Sequence, residues 1–235
     1  MQDVAAPGVH IRPIQKAISG GLTDDEKLHN TYNPQQWCPG PVSSDLQERY
    51  GLVGKQVILT VSRLAQSERY KGHDEIIELM PELLVELPDL MYLIVGDGDD
   101  RPRLDRKVRR LGLQRQVVFA GYVDEAEKAN HYRLADVFAM PGRGEGFGIV
   151  YLEAMACGIP VIGSSLDGSR DALRHGELGR LVSPDRPEEI RMALLAALQQ
   201  GTGVVPEGLS AFNLTAFSLR LEQLLAQAEL LADRR

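Results

Sequence analysis

The chain has 235 residues, of which 43% are apolar and 25% are charged, as in ordinary globular proteins. Its formal net charge of −7 argues against a nucleic-acid-binding function, because neutralising phosphates requires a basic face. No run approaches the roughly 18–20 apolar residues that cross a bilayer, no signal-peptide pattern opens the chain, and Cys38 and Cys157 lack the spacing of a disulfide framework or a metal site. We therefore expect a cytoplasmic protein.

The sequence divides into three segments of different character. Residues 1–53 show little sustained periodicity and are punctuated by prolines, so we interpret them as an irregular arm or interdomain linker. Residues 54–200 form the expected main domain. A Gly/Pro-rich break at residues 201–208 and an apolar-periodic helix at residues 214–231 make up the last segment, residues 201–235.

The middle segment alternates short apolar runs with helix-periodic stretches. We predict strands at residues 57–62, 91–95, 117–119, 137–140, 161–163 and 180–182. We predict helices at residues 74–86, 101–111, 124–135, 148–156 and 188–199. The runs are rich in Val and Ile and barely alternate with polar residues, as do strands covered on both faces. The expected fold class is therefore α/β, a doubly wound parallel sheet of Rossmann-like type, with ligands beyond the carboxyl ends of its strands.

Glu153 is the only charged residue between Glu145 and Asp167. A carboxylate in such apolar sequence is expected to be partly buried, where an unpaired charge is costly. A ribose diol suits it, since two adjacent hydroxyls can donate to one carboxylate; the alternative is a structural ion pair. Gly146 and Gly148 lie at the start of the predicted helix 148–156, which contains Glu153. They leave backbone N–H groups at the start of that helix free for a phosphate.

The two glutamates do not fit a glycosidase acid/base pair. Eight helical positions at 1.5 Å each span about 12 Å. Glycosidase carboxyl groups lie roughly 5–9.5 Å apart. We therefore set a glycosidase aside.

Two cations follow the first predicted strand. Arg63 ends the strand and Lys71 opens the next helical region, so both fall at the ligand-binding edge of the sheet. Together they could hold a diphosphate leaving group. The alternative is a pair of exposed loop charges. Arg69 lies nearer Lys71 but is expected at the surface.

We assign structural roles, and no metal binding, to two further patterns. The Asp-x-Asp at Asp97 and Asp99 resembles a metal motif, but we interpret residues 96–100 as a turn with a helix N-cap. The histidines are scattered without metal-ligand spacing, and His73, near the proposed site, is assigned an ordinary role at a helix start. We expect no metal site.

A basic stretch occupies residues 101–115. Its cations are Arg101, Arg103, Arg106, Lys107, Arg109, Arg110 and Arg115. We interpret it as the solvated face of a surface helix. The alternative is peripheral contact with an anionic membrane at its inner face.

Taken in order, several segments resemble the C-terminal domain of the family-4 glycosyltransferases of the GT-B fold. The matching segments are Thr60-Val-Ser-Arg63-Leu, Lys71-Gly-His-Asp, Leu93-Ile-Val-Gly-Asp-Gly98, Val118-Phe-Ala-Gly-Tyr-Val123, Ala135-Asp-Val-Phe138, Glu145-Gly-Phe-Gly148, Leu152-Glu-Ala-Met-Ala-Cys-Gly158 and Pro160-Val-Ile. Each is weak alone, but the ordered set covers residues 53–184. It includes the E-x7-E spacing of Glu145 and Glu153, the family's hallmark.

The resemblance implies a catalytic group made of Arg63, Lys71 and Glu145. Arg63 and Lys71 match the pair that grips the donor diphosphate, and Glu145 matches the glutamate beside the transferred sugar. Glu153 matches the glutamate on the ribose hydroxyls. In this family the reaction retains anomeric configuration and usually needs no metal.

The resemblance also implies the rest of the donor site. Phe147 and Gly148 match backbone donors to sugar and phosphate. Val123 lies where main-chain contacts hold the base, with Lys128 and Ile149 bordering that pocket. The segment Pro141-Gly-Arg-Gly departs from the family pattern, and the loop from Arg63 to Lys71 is longer than in some relatives.

We therefore expect the donor-binding, C-terminal half of a GT-B enzyme. It would transfer a hexose from a UDP- or GDP-sugar to a glycan or lipid acceptor, with no tightly bound cofactor and no metal. The family's N-terminal acceptor domain is not recognised, so we expect the chain alone to be nearly inactive. The alternatives are a non-catalytic nucleotide-sugar-binding module, a subunit of a split enzyme, or another GT-B enzyme such as an epimerase or a phosphorylase. A phosphorylase would need a lysine motif for pyridoxal phosphate, which we do not find.

Overall fold

The structure, a computed structural model, describes residues 29–232, with side chains to residue 226. Its strands are β1 Gln56–Val61, β2 Leu90–Val95, β3 Val117–Gly121, β4 Val137–Ala139, β5 Val161–Ser164 and β6 Arg180–Val182. Its α-helices are α1 Ser44–Tyr50, α2 His73–Glu86, α3 Arg101–Arg110, α4 Glu125–Tyr132, α5 Ile149–Ala156, α6 Ser169–Ala172, α7 Pro187–Gln200 and α8 Leu214–Ala232. Short 3₁₀ helices cover Gln66–Lys71, Arg174–Gly176 and Glu207–Phe212.

The strands form one parallel sheet in the order β3-β2-β1-β4-β5-β6. Helices cover both of its faces, so the predicted α/β, doubly wound fold is confirmed. The predicted strands and long helices are all present, with ends shifted by a few residues at most. Helices α1 and α6 were not predicted, because each is too short to show a clear period of 3.6 residues.

Strand β1 explains why its sequence does not alternate between apolar and polar residues. Val57, Leu59 and Val61 lie in one buried cluster, whereas Ile58 lies in the cluster on the opposite face of the sheet. Successive side chains of a strand point to opposite faces, so both faces must be apolar where helices cover both. Each such buried side chain contributes about 1.5–3 kcal/mol.

The chain changes direction across the sheet between β1 and β4. Strand β1 pairs with β2 on one side and with β4 on the other, where Ile58 faces Val137 and Leu59 faces Phe138. The loops that follow two adjacent strands with opposite onward connections leave a crevice between them. This crevice lies beyond Val61 and Ala139, at the edge where the predicted site residues occur.

The segment predicted as an irregular arm is partly ordered. Residues 44–50 form helix α1, which Ser43 caps by accepting a hydrogen bond from Leu46 N at 3.4 Å, and Gly51 ends it in the left-handed conformation. Upstream, Trp37 is buried in the main core. The prediction of irregular structure was therefore wrong for residues 44–50, because capping and burial stabilise a helix that is too short to show a helical period. The division at residues 53 and 200 stays a prediction.

Candidate functional site

The first cation of the site, Arg63, follows β1 by two residues. Its side chain is 78% exposed and forms an ion pair with Glu68 through Nη2. Glu68 lies in the 3₁₀ helix Gln66–Lys71 and is only 13% exposed. The position after β1 was predicted, but the carboxylate beside it was not.

The second cation, Lys71, ends the same 3₁₀ helix. Its Nζ lies 3.1 Å from Glu145 Oε2 and 3.5 Å from Glu68 Oε2. The structure thus brings together Arg63 and Lys71 with Glu145, in one chain of alternating charges linked by Glu68. Sequence analysis missed Glu68 because a glutamate in a strongly charged loop gives no signal of its own.

A close approach of two loops places Lys71 beside Glu145. Gly72 has φ +84°, and a Cβ at this position would lie 2.8 Å from atoms of Pro141. The loop after β1 therefore packs directly on the loop after β4, which only glycine permits here. Arg143 N donates to Tyr70 O at 2.8 Å and fixes the same approach.

Buried hydrogen bonds are formed by residues that lie close to Arg63 and Lys71 in the sequence. His73, at the start of α2, is hydrogen-bonded to Ser62 Oγ through Nε2 at 2.8 Å and to Tyr92 Oη through Nδ1 at 3.1 Å. Burial lowers the pKa of His73 to about 4, so its imidazole is neutral at pH 7. His73 therefore ties α2 to the residue next to Arg63, which is more than the ordinary helix-start role expected.

The backbone around Glu145 is held by the loop after β5. Glu145 N donates to Asp167 Oδ2 at 3.0 Å, and Gly168 N donates to Glu145 O at 2.9 Å. The side chain of Glu145 accepts a bond from Gly146 N at 3.0 Å as well as from Lys71. Its carboxylate is therefore fixed beside the cation in the structure as it stands.

Helix α5 begins at the site without a side-chain cap. Gly148 precedes it with φ +84°, and no acidic residue lies in its first turn. A Cβ on Gly148 would lie 2.5 Å from ring atoms of Tyr151 and 3.1 Å from Glu145 Cγ. Tyr151 N donates to Gly148 O at 3.0 Å, so the first two N–H groups of α5, those of Ile149 and Val150, are the ones available to an anion. The Phe147 ring is buried and stacks on His29 at 5.7 Å.

Glu153 is 5% exposed, as expected from its apolar surroundings. Tyr132 Oη donates to Glu153 Oε2 at 2.6 Å, and Lys128 Nζ lies 3.8 Å from Oε1. Burial raises the pKa of Glu153, and these two neighbours oppose that shift. Lys128 lies nearer to Glu125, at 2.7 Å, so Oε1 retains capacity to accept hydrogen bonds. Sequence analysis missed Tyr132, which lies in a helix of no special composition.

The residues predicted to surround a base lie on three elements. Val123 follows β3 and is partly buried, Lys128 lies on α4, and Ile149 opens α5 with its side chain exposed. The ammonium group of Lys128 lies 5.5 Å from the ring centroid of Trp37. The segment that carries Trp37 therefore contacts a predicted site residue directly.

The Asp-x-Asp segment serves the structure of the loop. Asp99 Oδ1 accepts from Gln66 N at 2.8 Å, and Asp100 pairs with Arg69 and Arg103. Asp100 occupies the N-cap position of α3 but makes no side-chain cap bond, so that part of the prediction was wrong; the two arginines occupy its carboxylate instead. Within residues 29–226, no group of three or more His, Cys, Asp or Glu side chains could hold a metal.

The basic stretch is not uniformly solvated. Arg103 and the buried Lys107 point toward α2, where both pair with Asp74, and Lys107 also pairs with Glu78. Arg106, Arg110 and Arg115 are exposed. Part of the charge thus neutralises the neighbouring helix. In the part of the chain that the structure describes, no helix is long and apolar enough to cross a membrane.

Comparison with known proteins identifies the family of the chain. The family model described as glycosyl transferases group 1 matches residues 44–204. The chain belongs to this family. The match begins at the first residue of α1 and covers every strand of the sheet.

Two curated proteins to which the chain is similar are named as mannosyltransferases. The chain is 36% identical over 177 residues to the GDP-mannose-dependent α-(1-6)-phosphatidylinositol monomannoside mannosyltransferase of Mycolicibacterium smegmatis, covering 72% of this chain and 46% of the relative. It is 42% identical over 130 residues to the phosphatidyl-myo-inositol mannosyltransferase of Mycobacterium tuberculosis, covering 55% and 33%. The chain thus spans less than half the length of these relatives.

Solved structures show the same fold. The Anabaena protein HepE, solved in complex with UDP, superposes with a TM-score of 0.73 at 23% identity, covering 85% of this chain and 57% of HepE. Structural neighbours of the chain are GT-B glycosyltransferases, and what they share with it is the Rossmann-like α/β fold.

Proposed function

We propose that this chain is the nucleotide-sugar-binding part of a retaining, family-4 glycosyltransferase. The observation that carries the proposal is the contact of Lys71 with Glu145 at 3.1 Å, at the crevice where the sheet changes direction. It joins one of the two predicted phosphate-binding cations to the glutamate predicted beside the sugar. Two loops whose contacting residues are 74 positions apart in the sequence thus meet where doubly wound sheets bind ligands.

Separate groups of residues would hold the diphosphate, the ribose and the base of the donor. Arg63, Lys71 and the free N–H groups at the start of α5 bind the diphosphate, because cations and a helix N-terminus both favour negative charge. Glu153 accepts the ribose hydroxyls through Oε1 while Tyr132 occupies Oε2. Main-chain groups near Val123 hold the base, with Lys128 and Ile149 at its border.

The site is built to stabilise the leaving group. During transfer the bond between the sugar and the diphosphate breaks, and negative charge develops on the departing phosphate. Two fixed cations and oriented N–H groups meet that charge without reorganising. Glu145 lies beside them with its carboxylate held by Lys71 and Gly146 N, in position to contact the sugar. The proposal needs no metal, because these groups supply the positive charge.

The relatives indicate which donors to test first. One is named for its dependence on GDP-mannose, and HepE was solved with UDP. We propose a hexose donor carried on GDP or UDP and an acceptor that is a glycan or a lipid.

We further propose that these 235 residues bind donor but transfer sugar slowly, if at all. The residues assigned here account for base, ribose, diphosphate and sugar, and none is assigned to an acceptor. Aligning the attacking hydroxyl and excluding water can be worth roughly 7–11 kcal/mol of the barrier. A site that holds only the donor lacks this contribution.

The decisive experiment is titration calorimetry of the purified chain with UDP, GDP, ADP and their hexose conjugates. We expect UDP or GDP to bind with high-micromolar to millimolar affinity, and the free nucleoside to bind more weakly. Absence of binding by every nucleoside diphosphate would overturn the proposal. Incubation with labelled GDP- and UDP-hexoses and glycan or lipid acceptors tests the second part; turnover at about 1 s⁻¹ or faster would contradict it.

A further inference from the structure

Glu68 occupies an unusual position between the two cations of the site. Its Oε1 contacts Arg63 Nη2, and its Oε2 lies 3.5 Å from Lys71 Nζ. One carboxylate therefore bridges both groups predicted to hold the diphosphate. The three residues lie within a single loop of nine residues, so the bridge is local and does not connect distant parts of the fold.

This bridge differs from an ordinary surface ion pair. Glu68 is 13% exposed although it lies in a loop, and among the described residues no hydrogen bond reaches its Oε2. A buried carboxylate oxygen with only a long ion-pair contact is unfavourable for folding. Exposed ion pairs avoid this cost, because water satisfies their free oxygens. A contribution to fold stability therefore does not account for Glu68.

The geometry leaves the cations able to bind a ligand. Glu68 engages Arg63 through Nη2 alone, so Nε and Nη1 make no bond to Glu68. Arg63 is 78% exposed, so without this contact its long side chain would sample many rotamers in water. Lys71 lies between two carboxylates, those of Glu68 and Glu145, and without Glu68 it would keep only Glu145.

We propose that Glu68 is a positioning residue that holds Arg63 and Lys71 side by side for the donor diphosphate. The inference rests on the proposed function, since it assigns the two cations to the diphosphate. Glu68 itself does not touch the ligand. Its contribution is to fix two flexible cations before the ligand arrives, so that their ordering is not opposed by entropy during binding.

Electrostatics alone predicts the opposite effect of removing Glu68. Arg63 and Lys71 carry two positive charges, and Glu68 and Glu145 carry two negative charges, so the four groups sum to zero. Replacing Glu68 by Gln makes the group positive, which by Coulomb's law strengthens the binding of an anion. Weaker binding in the variant therefore cannot be a charge effect, and the sign of the change identifies the role.

The test is calorimetry of Glu68→Gln with GDP or UDP, the corresponding monophosphate and the nucleoside. We expect the diphosphate to bind about five- to thirty-fold more weakly, the equivalent of about 1–2 kcal/mol of side-chain ordering at 1.36 kcal/mol per tenfold. The monophosphate should lose less, and the nucleoside should be unchanged within about twofold. Glu68→Asp, which keeps the charge on a shorter stem, should fall between the variant and the parent.

Controls separate the possible failures. Glu177→Gln removes a carboxylate from an exposed ion pair with Arg174. Glu177 lies three residues before β6, at the amino ends of the strands and away from the proposed site, so this variant should change no affinity. Unchanged or tighter diphosphate binding by a folded Glu68→Gln variant overturns the positioning role. An equal loss for the nucleoside also overturns it. If the parent chain binds no nucleoside diphosphate, the proposed function itself fails, and this inference falls with it.

Discussion

Tyr132 and Glu153 form a buried hydrogen bond of 2.6 Å that joins α4 to α5. Because burial raises the pKa of Glu153 above that of an ordinary glutamate, the charged form depends on donors such as this hydroxyl. The tyrosine ring is itself fixed by an edge-on contact with Trp37, with ring centroids 5.6 Å apart. The residue predicted to bind ribose is therefore oriented by a neighbour that the sequence did not reveal.

Replacing Glu153 by Ala should weaken the binding of GDP or UDP by about 1–3 kcal/mol, the scale of losing hydrogen bonds to a charged group. The matched ligand is the 2′,3′-dideoxynucleoside diphosphate, which lacks both hydroxyls and should bind parent and variant alike. Calorimetry checks both. A similar loss with the dideoxy ligand would show that Glu153 supports the fold rather than the ribose.

Replacing Tyr132 by Phe keeps the ring and removes one donor from Glu153. We expect nucleoside diphosphate affinity to fall by about 0.5–1.5 kcal/mol, the net value of one hydrogen bond. Tyr50→Phe is the control, since it removes the hydroxyl that contacts His131 Nε2 at 3.0 Å on α4. If both variants lose affinity equally, the effect comes from packing of α4 and not from Glu153.

Replacing Arg63 or Lys71 by Ala should weaken diphosphate binding far more than nucleoside binding, because each removes a cation from the phosphate site. Arg69→Ala is the control, since Arg69 lies in the 3₁₀ helix that ends at Lys71 but pairs with Asp100 at 2.8 Å. Its affinities should stay within about twofold of the parent. Equal losses for nucleoside and diphosphate in either cation variant would argue against a phosphate role.

Replacing Gly148 by Ala tests the close packing at the start of α5. The added Cβ would meet the Tyr151 ring at 2.5 Å in a left-handed backbone conformation, so we expect a loss of about 2–4 kcal/mol in the free energy of unfolding. Gly112→Ala is the control, since Gly112 has φ +74° but open space around its Cβ, and should lose about 1 kcal/mol. Urea unfolding measures both. Equal losses would mean that backbone strain alone matters.

The buried His73 predicts a pH dependence of stability. Its pKa is about 4 in the folded chain and about 6.5 when unfolded, so between these values the unfolded state binds more protons. Its contribution is present above pH 6.5 and is lost as the pH falls toward 4, by up to about 3 kcal/mol. His73→Gln should remove this part of the slope in urea unfolding from pH 7 to 4. An unchanged slope would show that His73 does not titrate as described.

Much of the fold was determined locally. The Val- and Ile-rich runs predicted the strands, because a strand in a sheet that helices cover on both sides needs apolar residues on both of its faces. Strand β2 is an example, since each of its residues is buried. The same local patterns placed Arg63, Lys71, Glu145 and Glu153 after strands or on the helix that follows. Among the α-helices of residues 29–232, α1 and α6 were not predicted, since neither is long enough to show a helical period.

The tertiary structure decided which of these residues meet. Lys71 and Glu145 are 74 residues apart and touch only because β1 and β4 are neighbours in the sheet, a pairing that no local pattern specifies. Tyr132 reaches Glu153 because α4 and α5 pack on the same face of the sheet. Periodicity records which side of an element is buried, whereas a site depends on distances between elements, and those are set by strand order and packing.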